Sequence, residues 1–172
     1  MQRTADGRLC VIADANILIN FMKIGRLNLL RQLQTYAFRI PEEVYQEISY
    51  PAQRTELDNA LDQEWIEKIE ITDLNEIGTY VKYRQQMDDG EAACLTVAVC
   101  RKWVLACDER KKKVISREIQ VKLGRNYLLN TPGILLKAIR ENILTVDQAD
   151  KIKEDLAQNR FVMPFESFRD LL

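Results

Sequence analysis

The sequence predicts an α/β fold, a mostly parallel central sheet with helices on both faces, making three α/β/α layers. Two observations carry that expectation. Leu9–Ala13 and Trp103–Cys107 are short, continuously apolar runs, the pattern of strands buried on both sides of a parallel sheet. Segments with the apolar spacing of amphipathic helices come between and after them, so strand and helix alternate along the chain. The 172 residues, 47% hydrophobic and 30% charged with six Gly and four Pro, are enough for a packed core. No repeat or linker divides them, and residues 1–172 are read as one domain with additional helices at its C-terminal end.

Each element has its own signal. Asp14 follows the first strand directly, and Ala15 to Lys23 has helical apolar spacing. Leu27, Leu30 and Leu33 read as a second helix after Gly25. Ala37 to Ile40 is a short strand closed by Pro41, and Val44 and Ile48 give the inner face of a helix that stops near Pro51. An acidic helical stretch lies between Thr55 and Glu64, and Trp65 to Ile71 alternates as an edge strand. Asp73 is placed to cap a helix carrying Ile77, Val81 and Tyr83. After Asp88-Asp89-Gly90 an apolar helix runs from Glu91 to about Arg101, followed by the second buried strand and Asp108. Arg110 to Leu123 is a basic helix stopped by Gly124, and Tyr127 to Leu129 is a third core strand. Thr131-Pro132 reads as N-cap and first helical residue. Asp147 to Gln158 and Pro164 to Leu172 are the closing helical pieces.

Composition removes several chemistries. The chain has no histidine, which excludes Ser-His-Asp triads, Cys-His pairs and His-containing zinc sites. Cys10, Cys94, Cys100 and Cys107 lack Cys-x-x-Cys spacing and lie in apolar surroundings, so buried free thiols in a reducing compartment are expected. No signal peptide or membrane span is recognised, and a cytoplasmic location without membrane association is the expectation. The net charge of −1 hides a separation. Pro41 to Glu91 holds 14 acidic and 4 basic residues, whereas Arg101 to Arg125 holds 9 basic and 3 acidic.

Twenty-six carboxylates are available, and two stand out. In open α/β sheets ligands bind beyond the carboxyl ends of the strands. If the strands before Asp14 and Asp108 are parallel neighbours, both carboxylates reach one edge. Like charges at one crevice repel and raise each other's pKa unless a cation lies between them, and an oxygen-only donor set suits Mg²⁺ or Mn²⁺. Against this stands the common role of Asp as a helix N-cap at a strand-to-helix junction.

Four segments then fall into one pattern. Val11-Ile12-Ala13-Asp14-Ala15-Asn16 resembles the opening motif of PIN-domain nucleases. Pro41-Glu42-Glu43-Val44-Tyr45-Gln46-Glu47-Ile48 is similar to the second, which selects Glu47, with Glu43 one turn earlier as the alternate. Asp89-Gly90-Glu91-Ala92-Ala93 resembles the third and selects Glu91, and Val104-Leu105-Ala106-Cys107-Asp108-Glu109 the fourth, selecting Asp108 with Glu109 as alternate. Many members carry Thr or Ser where this chain has Ala106, which removes a polar contact. Asn130-Thr131-Pro132-Gly133 resembles a motif that a subset of the family shares. The motif-bearing core is residues 9–136, and residues 137–172 form an extension.

The resemblance implies a ribonuclease in which Asp14, Glu91 and Asp108 bind Mg²⁺ or Mn²⁺ and Glu47 completes the site directly or through water. Asn16, Glu109 and Thr131 are supporting residues. Arg110, Lys113 and Arg117 share a helical face and are the expected contacts to single-stranded RNA. It also implies a homodimer and, for many small members, a toxin held by an antitoxin protein. Two other functions compete. One is a PIN fold that binds nucleic acid or protein without turnover. The other is a haloacid-dehalogenase-type phosphatase, which needs a second Asp two residues after the nucleophile, where this chain has Asn16.

Overall fold

A computed structural model describes residues 1–108 and 114–172. Among the described residues five strands form one sheet in the order β3-β2-β1-β4-β5, every pairing parallel. They are β1 (Leu9–Ala13), β2 (Tyr36–Pro41), β3 (Ile66–Ile69), β4 (Val104–Ala106) and β5 (Leu128–Leu129). The helices are α1 (Ala15–Lys23), α2 (Leu29–Gln32), α3 (Glu42–Glu47), α4 (Pro51–Asp62), α5 (Leu74–Tyr83), α6 (Asp89–Arg101), α7 (Val114–Lys122), α8 (Thr131–Arg140) and α9 (Val146–Gln158). Together they make the three-layer α/β/α arrangement the alternation predicts.

The two apolar runs are the centre of the sheet. β1 pairs with β4 in the register Ile12↔Leu105 and Ala13↔Ala106, and with β2 through Val11↔Phe38. Val11, Ile12, Ala13, Leu105 and Ala106 are buried. On α1, Ile17, Leu18 and Phe21 are fully buried, and each such side chain contributes roughly 1.5–3 kcal/mol through removal from water. α6 buries Gly90 and the unbroken run Ala92 to Ala98, so it is a core helix that meets solvent only at its ends, with Asp89 and Glu91 at the first.

Several expectations need correction. The leucine segment after Gly25 makes only the single-turn α2, although Leu27, Leu30 and Leu33 are all buried. Pro51 begins α4, its fixed φ and missing N–H suiting the first helical turn. Asp73 caps α5 by accepting from Asn75 N and Glu76 N, yet Ile77 and Val81 face outward. The helix instead turns Glu76 inward to a two-toothed pair with Arg101, at 2.6 and 2.8 Å. Pro164 to Leu172 is not a helix. The Ser167 hydroxyl and Phe168 N–H are bound to Asp150 at 2.6 and 2.8 Å, so only a 3₁₀ turn, Phe168–Leu171, forms. Phe168 is fully buried. Cys10, Cys94 and Cys107 are buried free thiols, whereas Cys100 is exposed. Among the described residues no helix is long and apolar enough to cross a membrane.

Candidate active site

The strand order reverses direction at β1 and β4, where β1 leads to β2 on one side and β4 to β5 on the other. A crevice opens at the carboxyl ends of such a pair. Asp14 and Asp108 both reach it. They line one cavity of about 430 Å³ together with Glu91, and its wall also includes Asn16, Asn20, Lys23 and Cys107.

Asp14 is buried, 5% exposed. It occupies the N-cap position of α1 but its side chain makes no capping hydrogen bond. Asn16 Nδ2 donates to its Oδ2 at 3.0 Å instead. Burial raises its pKa above the ordinary value, the amides of Ala15 and Asn16 and the Asn16 side chain oppose the rise, and the charge of Asp108 adds to it.

Asp108 is held from two sides. Asn20 Nδ2 donates to Oδ2 at 3.0 Å. Thr131 donates its backbone N–H to Oδ1 at 2.9 Å and its hydroxyl to Oδ2. Thr131 is therefore the first residue of α8 and not its cap; Asn130 is the cap, with Oδ1 accepting from Gly133 N at 2.9 Å. The polar contact that Ala106 cannot supply reaches Asp108 from Thr131 and Asn20.

Glu47 has a different place. It lines a separate hollow with Glu42, Glu43, Gln46 and Asp89, and its Oε1 accepts from Gly90 N at 2.8 Å in the first turn of α6. The residue as a whole is exposed, but its carboxyl group is seated against α6. The resulting desolvation raises its pKa, the Gly90 N–H opposes that, and the charges of Asp14, Asp88 and Glu91 add to it. Glu47 is thus within the field of the cavity acids without lining their cavity.

Glu109, Arg110 and Lys113 lie outside the described residues. Arg117 is exposed on α7 and does not line the cavity. Among the described residues the cations on that wall are Lys23 and Arg160, neither of which the sequence reading selected. Asn20 was also missed, and its signal was a polar residue one turn after Asn16 on an otherwise apolar helix.

The donor set is oxygen only, with one acid buried beside another, a combination that a hard divalent cation relieves. Among the described residues no three His, Cys, Asp or Glu side chains converge closely enough to hold a metal ion. The fit is one of donor chemistry and a shared cavity, without preformed coordination.

The DUF3368 family model, described as a PIN domain, matches residues 10–172. The chain belongs to the PIN-domain family. PIN domains are generally nucleases and typically use divalent metals. No curated protein and no solved structure gives a match.

Proposed function

We propose that this protein is a metal-dependent ribonuclease that hydrolyses phosphodiester bonds of single-stranded RNA with Mg²⁺ or Mn²⁺. The observation that carries the reading is the meeting of Asp14, Glu91 and Asp108 on one cavity at the point where the strand order reverses. These three acids would hold the ion, with Glu47 acting from the N-terminus of α6. A bound divalent ion supplies polarisation of a phosphate oxygen and a water of lowered pKa. The chain's own residues do the rest. Asn16 orients the Asp14 carboxylate, and Asn20 and Thr131 fix that of Asp108. Lys23 and Arg160 bring positive charge to the wall that a phosphate backbone would approach. The absence of histidine is consistent with this chemistry, which takes no proton through imidazole.

The toxin role and a cytoplasmic workplace belong to the same proposal. Growth arrest on expression, lost in Asp14→Asn, is the test of the toxin role. The activity itself is tested with a fluorescent single-stranded RNA titrated with Mn²⁺. Cleavage by the wild type that disappears in Asp14→Asn supports the reading, and equal cleavage by both proteins overturns it. The lack of three converged ligands among the described residues favours a second reading, a PIN fold that binds RNA without turnover. In the same assay it gives binding and no Mn²⁺-dependent cleavage.

A further inference from the structure

The carboxylate cavity is not bounded by α1 and the sheet edge alone. Asn159 and Arg160, just past α9, form part of its wall. Beyond Asp108 lies a second hollow of about 330 Å³, lined by the next four residues, Phe161 to Pro164, and by Ser116 and Asn130. Asp108 belongs to both walls.

The segment that joins the two hollows is fixed at both ends. Arg160 N and Phe161 N donate to Ala157 O and Leu156 O at 3.0 and 2.9 Å, closing α9. Downstream, Lys153 Nζ donates to Phe165 O at 3.1 Å, and Asp150 holds Ser167 and Phe168. Phe161 and Met163 are buried, whereas Val162 between them is 74% exposed. Arg160 has φ of +68°, the left-handed backbone that commonly closes a helix, and at this point it carries the chain from α9 onto the cavity wall.

We infer that residues 159–164 are the nucleotide-binding wall of this site, an inference that rests on the ribonuclease reading above. Arg160 meets a phosphate of the bound strand, and the hollow beyond Asp108 takes the adjoining nucleobase. Because Asp108 is common to both walls, a phosphate at the carboxylates and a base one nucleotide along it occupy neighbouring hollows. A base presents an apolar face and polar edges. The hollow offers Phe161, Val162 and Met163 to the first, and to the second the Asn130 amide, whose Oδ1 accepts from Gly133 N. The C-terminal extension thereby acquires a role in substrate binding.

The test is the affinity of the full chain for a short fluorescent single-stranded RNA, measured by anisotropy with calcium in place of magnesium or manganese. Arg160→Gly suits the left-handed backbone, and Val162→Asp changes an exposed position, so both variants keep the fold. Each is expected to weaken binding about tenfold. Arg160→Gly also lowers the dependence of affinity on salt by about one phosphate contact, and Arg160→Lys restores it. Lys151→Ala, exposed on α9 and on neither wall, binds as the wild type does. Wild-type affinity in both Arg160→Gly and Val162→Asp overturns the inference, the result a protein-docking role for the segment would give. In that case Mn²⁺-dependent cleavage by the wild type leaves the ribonuclease reading standing. A wild type that neither binds nor cleaves RNA overturns both.

Discussion

The Glu47 carboxylate occupies the space that a side chain on Gly90 would need. Its Oε1 accepts from Gly90 N at 2.8 Å, and a Cβ on Gly90 would stand 2.3 Å from that oxygen. The glycine between Asp89 and Glu91 therefore lets an acid from α3 cap the helix that carries an acid of the site.

Gly90→Ala is expected to expel that carboxylate at little cost to the fold. The atom in the way is the far end of a flexible side chain, and Ala is favoured over Gly in a helix by about 1 kcal/mol. RNA cleavage should fall about tenfold, to the level of Glu47→Ala, with the melting temperature nearly unchanged. If Glu47 is only a helix cap, Gly90→Ala will cleave as the wild type does.

Asp14 sets the response to pH. Its folded-state pKa is raised above 3.8, chiefly by burial, so the folded protein holds that proton more tightly than the unfolded chain. Stability is consequently lost as pH rises from the ordinary value through the raised one, so metal-free protein is penalised above the ordinary carboxylate range. The Glu47 shift has the same direction and adds to it. In EDTA at neutral pH, Asp14→Asn should melt higher than the wild type. With Mn²⁺ only the wild type should gain. A lower melting temperature for Asp14→Asn in EDTA would mean that its carboxylate stabilises α1.

Thr131→Val removes one hydroxyl from Asp108 and leaves the backbone N–H bond in place. A lost hydrogen bond to a charged group costs about 1.5–3 kcal/mol, and denaturant unfolding measures it. Because Thr131 and Asn20 act through the same carboxylate, their effects on cleavage should not add. The double variant with Asn20→Ala should be little worse than the poorer single variant. Additive losses would show that one of them has another role.

Arg101→Met separates fold from site. Glu76 is 6% exposed and Arg101 is its ion-pair partner, so the substitution leaves a buried charge and should cost about 3 kcal/mol. Arg101 also donates to Glu70 O at 2.9 Å, on neither wall of the carboxylate cavity. Per folded molecule, cleavage below the melting transition should match the wild type.

Much of this was readable from the residues. β1 and α1 were placed to the residue, because a β-branched apolar run ending at Asp14 and a clean helical period leave few alternatives. Asp14 and Asp108 stand out because each directly follows a buried apolar strand, and Glu91 through the resemblance of its segment to a family motif; the parallel register of β1 with β4 brings the two aspartates to one cavity, which Glu91 of α6 also lines. The misses have physical causes. Glu47 is expected to complete the site directly or through water, and its seat against Gly90 N at the start of α6 is a contact between elements that leaves no trace in local spacing. The inner face of α5 was misjudged because Arg101 permits Glu76 to be buried. Pro164 to Leu172 carries helical spacing and is held out of a helix by Asp150. Arg160 entered the site through a left-handed turn that no motif marks.

Crystals soaked in Mn²⁺ and read by anomalous diffraction test the proposed chemistry most directly. One peak is expected in the cavity between Asp14 and Asp108, within reach of Glu91 and absent from Asp14→Asn crystals. A peak seated elsewhere, or none at Mn²⁺ concentrations that support RNA cleavage, would contradict the assignment of these carboxylates as the metal site.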